Sequence, residues 1–323
     1  MHTDNKKNSI KKMLPGVKED ISLAEYTTFK IGGPAKYFFI ARSSQDIIKA
    51  VGAALNRRVP FFVLGGGSNL LISDRGFKGL AIKIENSNIR INKLKIFVEA
   101  GVKLSEVIRL SAKNSLTGIE WATGIPGTVG GAIYGNAGAF GRTISDSVKK
   151  VKFLEIVGKE AKIRDFSNKE CNFSYRGSIF KSRRNFILLS AELEFKKGNK
   201  GKIEKEIKEN LKARIKKQPQ WPSAGSIFKN KKSKTENKKL IKLFPELKEK
   251  MVKNAIPAAA LIEMAGLSGK KIGDAQVSED HKNFIVNLGR AKSSEIKKLI
   301  DLIKKKVKNK FGVNLEEEIK IIF

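Results

Sequence analysis

The chain has 323 residues, 41% of them hydrophobic, an ordinary balance for a water-soluble protein of two or three domains. One cysteine, Cys171, excludes an internal disulfide framework and a thiolate metal cluster, and two histidines, His2 and His281, argue against a zinc site or a serine–histidine triad. The formal charge of +33 is extreme, yet the lysines are scattered and interrupted by acidic residues, as in KGNKGKIEKEIKENLKARIKK (197–217). Aromatic residues are not interleaved with them as stacking platforms. Solvated lysine-rich faces that attract anionic small molecules are expected, rather than a nucleic-acid track.

No apolar run approaches the ~20 residues of a membrane span. The N-terminus is polar and lysine-rich, without the apolar centre of a secretion signal, so a cytoplasmic setting is expected. Residues 1–20 read as a flexible tail. A turn at Gly32, Gly33 and Pro34 leads into a strand at 37–41. A helix over 43–58 follows, capped at Ser43, with Ile47, Ile48, Val51, Ala54 and Leu55 on one face. The segment PFFVLGGGSNLL (60–71) is a strand running into three glycines and Ser68-Asn69, a weak signature of a phosphate loop. Strands at 79–84 and 95–100 and a helix at 104–114 come next.

Residues 124–141, GIPGTVGGAIYGNAGAFG, hold seven glycines. Such a run is a poor helix interior, because glycine loses the most backbone entropy on ordering. Ile125, Val129, Ile133, Tyr134 and Phe140 need burial, so it is not a linker either. It reads as tight turns between short buried strands, or as backbone lying against a flat or phosphorylated ligand. A second glycine-rich loop at 65–67 favours the ligand, with pyrophosphate at one loop and a ring at the other.

Strands at 148–157 and 161–166 precede a capping box over 167–170 and the segment CNFSYRGSIFK (171–181). A strand at 186–195, a charged helix at 199–217 and a break at 218–222 complete this part. The last third carries SAGSIFKN (223–230), a lysine-rich stretch to 254, IPAAALIEMAGLSGKKIGDAQVS (256–278), NFIVNLG (283–289), an amphipathic helix over 293–311 and a final strand. Three positions look chemically loaded. Arg176 stands in a small, apolar turn and needs an anionic partner, from the protein or from a ligand. Ser226 follows a glycine and precedes Ile227-Phe228, a turn serine or a reactive one. Glu318 opens the last strand among Glu316 and Glu317, a surface carboxylate or a catalytic one.

Eight segments in order, TTFKIGGPA, VLGGGSNLL, GIPGTVGGAIYGNAGAFG, FSYRGSIF, PSAGSIFKN, LIEMAGLSGKKIG, FIVN and LEEEI, resemble the flavin-dependent UDP-N-acetylenolpyruvoylglucosamine reductases. The likeness runs from about residue 27 to the C-terminus, and the PSAGSIFKN form is similar to the subgroup without the extra lid insertion. The resemblance implies an α+β chain: a two-part FAD-binding fold of the vanillyl-alcohol-oxidase (PCMH) type, over 21–85 and 86–198, and a C-terminal α/β substrate domain over 199–323. It implies FAD contacts at Thr28, Gly65, Gly66, Gly67, Ser68, Asn69, Gly124, Ile125, Pro126, Gly127, Gly130, Gly131, Asn136 and Gly138. Arg176, Ser226 and Glu318 become catalytic, and Tyr175, Lys217, Asn230 and His281 substrate-binding. NADPH is the implied hydride donor and UDP-GlcNAc-enolpyruvate the substrate of a monomer without nucleic-acid or membrane partners. FAD is expected to be non-covalent, since neither glycine loop has a histidine or cysteine nearby. Lys231 and Glu317 stand where the family often has proline. An insertion near 231–254 is expected as a solvated decoration, or as a helical hairpin or lid at the substrate mouth.

Overall fold

The computed structural model describes residues 10–232, 234–252 and 254–323. Contacts divide the chain into two units, each built from separated segments. Unit 1 takes the described part of Met1–Ile21 with Ala35–Gly66 and Phe77–Arg214, and unit 2 takes Ser22–Pro34, Gly67–Gly76 and Ile215–Phe323.

Unit 1 contains two sheets. The first has the order Lys18–Ser22, Pro34–Ala41, Phe77–Ile84, Phe61–Leu64. Pro34–Ala41 and Phe61–Leu64 both pair in parallel with Phe77–Ile84. Parallel neighbours need long crossovers, and the helix Ser44–Asn56 lies in the connection between Pro34–Ala41 and Phe61–Leu64. Ser43 caps this helix by accepting the Asp46 N–H at 3.1 Å, and Ile47, Ala50, Val51, Ala53 and Ala54 are buried. The second sheet is antiparallel, in the order Glu160–Ser167, Val148–Val157, Phe186–Glu194, Lys95–Glu99, Ile89–Asn92. Phe153 packs against Phe166, Phe180 and Phe186, with ring centroids 4.5, 5.4 and 4.7 Å away. One core joins residues from both sheets, from Tyr37 to Phe195, across the expected boundary near 85. Cys171 is buried in it, and burial pushes its thiol pKa up to about 12, so it is an inert packing group.

Unit 2 is organised on an antiparallel sheet, Ser223–Ser226, Phe284–Asn287, Ala275–Val277, Lys271–Ile272. The helix Ser293–Phe311 presents Ile296, Leu299, Ile300, Ile303, Val307 and Phe311 to the core and ends on Gly312 at φ 67°, the left-handed cap that glycine adopts without steric cost. Leu70–Ile72 pairs in parallel with Lys320–Ile322. No helix among the described residues is long and apolar enough to cross a membrane.

Three expectations change. Residues 10–20 are not a flexible tail: a helical turn at 10–13 precedes a strand at Lys18–Ser22, and Ile10 and Leu14 are each 1% exposed. Their i,i+4 spacing on one helical face outweighs the lysines around them. Residues 1–9 of that expectation lie outside the described residues. The insertion near 231–254 is not a solvated decoration. It forms the helix Lys234–Leu243 and a turn at Pro245–Leu247, and Leu240 and Leu247 enter the core of unit 2. The Phe244 ring meets Phe311 edge-on at 4.8 Å. The Asn237 amide donates to the Lys231 and Asn254 carbonyls at 3.2 and 3.1 Å, tying the two ends of the insertion together. The division into units also differs from the expected domain bounds, because segments 22–34 and 67–76 belong with the C-terminal part.

Leu14→Ala is expected to destabilise the chain by about 2–4 kcal/mol, the usual cost of truncating a buried leucine, measured by urea unfolding. A flexible tail would give no change.

Candidate functional site

In unit 1 the glycines at 65, 66, 124, 130 and 138 are set by close approach within the chain. A Cβ on Gly66 would stand 2.7 Å from the Gly127 Cα, and one on Gly65 2.8 Å from the Thr128 Oγ1. The two glycine loops therefore lie on each other as one cradle, where the sequence suggested separate ends for one ligand. The half-buried Lys83 ammonium donates to the Gly65 carbonyl at 2.6 Å, and its partial burial lowers its pKa. A Cβ on Gly130 would stand 2.9 Å from the Ala100 Cβ, one on Gly138 2.6 Å from the Arg142 carbonyl oxygen, and one on Gly124 2.7 Å from the Arg214 Cδ.

Contrary to the sequence expectation, part of this stretch is helical, Val129–Gly135. Thr128 caps it by accepting the Gly131 N–H at 3.3 Å, and Asn136 ends it in the left-handed conformation at φ 43°. Burial of Val129, Ala132 and Ile133 in the core overrides the low propensity of glycine. Gly131 and Gly135 differ from the others. Among the described residues, the nearest atom to a Cβ on Gly131 is 3.6 Å away, and one on Gly135 has nothing within 4 Å.

Asn136 connects this stretch to the turn that carries Arg176. Its amide donates to the Ser174 carbonyl at 2.9 Å and its Oδ1 accepts the Ser145 N–H at 3.3 Å. Ser174 and Gly177 exchange backbone hydrogen bonds at 3.0 and 3.2 Å around Tyr175 and Arg176. Arg176 adopts φ 57°, a region costing a non-glycine residue of order 1–3 kcal/mol, so the surrounding structure must hold it there. Its Nη1 donates to the Gly138 carbonyl at 2.9 Å, and its guanidinium stands 5.6 Å from the centre of the Tyr175 ring. Arg214 was not singled out in the sequence, where it is one cation among many. Its Nε donates to the Thr123 carbonyl at 2.8 Å, while its Nη2 is buried without a hydrogen-bond partner among the described residues. Burial lowers its pKa.

Unit 2 brings Ser226 and Glu318 together. Opposite Phe284–Asn287, the pairing steps from Ser223–Val286 to Ser226–Phe284, so an extra residue bulges from the strand before the serine. Gly225 takes φ 75° there, with nothing within 4 Å of a Cβ position among the described residues. Bulges of this kind re-aim the following side chain. The Glu318 N–H donates to the Ile227 carbonyl at 2.7 Å, and the Lys229 N–H to the Glu316 carbonyl at 2.9 Å. Asn69 donates to the Glu318 carbonyl at 3.2 Å, and the Lys320 N–H donates to the Asn69 carbonyl at 3.0 Å. Thr28 donates its hydroxyl to the Ser223 carbonyl at 2.7 Å and its N–H to the Gly67 carbonyl at 3.2 Å. Gly67 is forced by backbone contact, since its Cβ would fall 1.9 Å from the Tyr26 carbonyl oxygen. Asn230 accepts the Ala258 N–H at 3.1 Å. His281 accepts the Asn283 N–H on Nδ1 at 3.3 Å and packs on Phe284 at 4.7 Å. Burial, followed by the charges of Lys282 and Lys217, lowers its pKa.

These elements match known proteins over nearly the whole chain. A family model described as the C-terminal domain of UDP-N-acetylenolpyruvoylglucosamine reductase matches residues 217–322, and one described as an FAD binding domain matches residues 35–166. The UDP-N-acetylenolpyruvoylglucosamine reductase of Caldanaerobacter subterraneus subsp. tengcongensis is 39% identical over 93% of this chain and 91% of its own length. That of Anoxybacillus flavithermus is 38% identical over 95% and 94%. The chain belongs to the UDP-N-acetylenolpyruvoylglucosamine reductase family. The crystal structure of the Thermus caldophilus enzyme (MurB) superposes with a TM-score of 0.74 at 30% identity, covering 94% of this chain and 98% of that one. The architecture is the α+β FAD-binding fold of the PCMH type with the C-terminal domain of this family, and the chain is an FAD-containing oxidoreductase. The residues present fit FAD. Open space flanks Gly131 and Gly135, and the buried Arg214 Nη2 offers an unused donor of the kind a phosphate or flavin oxygen accepts.

His281 predicts a pH dependence. With its pKa lowered in the folded chain, the unfolded chain binds more protons as pH falls below the ordinary histidine value of 6.5, so stability is lost as the pH is lowered through that value. His281→Gln should flatten the thermal midpoint against pH between about 6.5 and 5 relative to the parent chain, measured by circular dichroism.

Proposed function

We propose that this chain is the NADPH-dependent reductase converting UDP-N-acetyl-enolpyruvoylglucosamine to UDP-N-acetylmuramate, a cytoplasmic step in making peptidoglycan precursors. The observation that carries the reading is the pinning of Ser226 and Glu318 to one short backbone segment in a chain of this family. The Glu318 N–H closes on Ile227, the residue next to Ser226. FAD, when bound, supplies the ring that takes hydride from NADPH and passes it to the terminal carbon of the enol ether.

The substrate is a vinyl carboxylate, so adding hydride drives charge onto that carboxylate as an enolate. Arg176 stabilises it. Its guanidinium is hung on the Gly138 carbonyl, and such preorganised charge costs no reorganisation when the reaction needs it. Glu318 assists at the same carboxylate as a hydrogen-bond donor, a role that requires its carboxyl in the protonated form. Ser226 gives its hydroxyl proton to the α carbon. Serine is a weak acid, but an enolate is a strong base, and a held geometry makes the transfer feasible. Lys217, whose charge is felt by His281, suits the substrate diphosphate together with that histidine. Tyr175 and Asn230 complete the substrate contacts. Thr28, Gly65 to Asn69 and the 124–138 stretch hold FAD without a covalent bond, so denaturation should release free yellow flavin.

Stopped-flow spectra test the roles. Ser226→Ala should keep NADPH-driven bleaching of the flavin and lose reoxidation by the enolpyruvoyl substrate by roughly 10²–10⁴-fold. Equal loss of both half-reactions would remove Ser226 from the proton transfer. Gly135 tests the cradle separately. Gly135→Ala should stabilise the flavin-free chain by about 0.5–1 kcal/mol, as expected when alanine replaces a helical glycine. Gly135→Leu should lower flavin retention on a desalting column with little change in folding, and full retention would place the ligand elsewhere.

A further inference from the structure

We infer that Asn283 is a positioning residue for the proton donor: its carboxamide stands in for a strand, closing both backbone hydrogen bonds of Phe228 and so fixing the segment that carries Ser226. The inference rests on the reaction proposed above and assigns part of its precision to a residue that touches neither substrate nor cofactor.

The bulge before Ser226 breaks the regular ladder with Phe284–Asn287. A bulge leaves a residue unpaired and lets a strand bend, so the segment after it needs another source of register. Ile227 and Phe228 are each 1% exposed, and water does not satisfy their backbone. Asn283 does so with three hydrogen bonds. Its Oδ1 accepts the Phe228 N–H at 3.0 Å, its Nδ2 donates to the Phe228 carbonyl at 2.8 Å, and its own carbonyl accepts the Ile227 N–H at 2.8 Å. The Glu318 N–H meets the Ile227 carbonyl at 2.7 Å. Ile227 and Phe228 are thus held by Asn283 and by Glu318, and Ser226 precedes them directly.

The chemistry requires a carboxamide. It offers one acceptor and one donor in a plane, matching the N–H and C=O of a single residue. A carboxylate would face the Phe228 carbonyl with a second acceptor. Asn283 is itself buried, at 4% exposure, and its N–H donates to His281 Nδ1 at 3.3 Å, with Lys282 between them in sequence. The clamp is therefore rigid at both ends. A displacement of about 1 Å at a reacting group can cost ~10²-fold in rate, which is the scale of effect expected from releasing it.

The test uses the FAD-loaded enzyme and follows its two half-reactions by stopped flow. In Asn283→Asp at pH 8, reoxidation by UDP-N-acetyl-enolpyruvoylglucosamine should fall roughly 10- to 100-fold while reduction by NADPH stays within about twofold. The solvent deuterium isotope effect on reoxidation should rise, because proton delivery becomes slow. Lowering the pH protonates the introduced carboxyl and restores a donor toward Phe228. The deficit relative to the parent enzyme at the same pH should then shrink, whereas Asn283→Leu should show no such recovery. Asn283→Ser keeps one hydrogen-bonding group without adding charge and reads the same split if the aspartate variant does not fold. Reoxidation at the parent rate, or equal losses in both half-reactions, overturns the positioning role. A parent enzyme that accepts electrons from NADPH but is not reoxidised by this substrate overturns the proposed reaction itself.

Discussion

Backbone laid directly on backbone, Gly66 against Gly127, with the Thr128 side chain over Gly65, is the constraint on which the glycine loops of unit 1 depend. At Gly66 the space for a Cβ is already taken by the Gly127 Cα at 2.7 Å. Side chains must therefore be absent there, and the hydrogen-bonding groups of two loops are brought into one patch. The short helix Val129–Gly135 starts from that patch, Asn136 ends it, and the amide of Asn136 reaches the turn that presents Arg176. A single close contact thus propagates through one helix and one asparagine to the residue assigned to charge stabilisation.

Unit 2 reaches its geometry by different means. Its strand Ser223–Ser226 is pinned by polar backbone contacts around a bulge, with Gly225 providing a conformation that other residues rarely take. Asn69, Thr28 and Asn283 each spend their side chains on the main chain of this segment or of its neighbour at Glu318. Two of these three, Thr28 and Asn69, were expected to contact the cofactor. Their observed contacts show what else the same residue types do: short polar side chains satisfy backbone that irregular loops leave unpaired.

Much of the architecture was legible in the sequence because it rests on period and punctuation. The helix Ser293–Phe311 and its apolar face follow from 3.6-residue spacing, and the strand Val148–Val157 from its β-branched residues. The helix inside the glycine stretch was not legible, since local propensity argues against it and only burial of Val129, Ala132 and Ile133 pays for it. Residues 10–20 were hidden by their lysines. The anchoring of the insertion at Leu240 and Leu247 needed knowledge of a distant surface to receive them. At the site, Arg176 and Ser226 stood out by type and setting, but the left-handed backbone of Arg176 leaves no trace in composition. Arg214 stayed hidden because a basic helix offers many equivalent cations, and burial alone distinguishes one.

The parallel pairing of Leu70–Ile72 with Lys320–Ile322 has a bearing on how the molecule is made. A ladder begun at Leu70 is completed only once Lys320 has been synthesised, and the strand that completes it carries Glu318 just ahead. During synthesis the early segment must wait with its edge open, a state prone to the wrong partner. Non-local pairing of this kind is slow to form, because the loop must close before the contact stabilises it. The loop at Gly67–Gly76 and the segment around Glu318 therefore settle together, late, and a chain interrupted before Lys320 would lack the ladder that joins them.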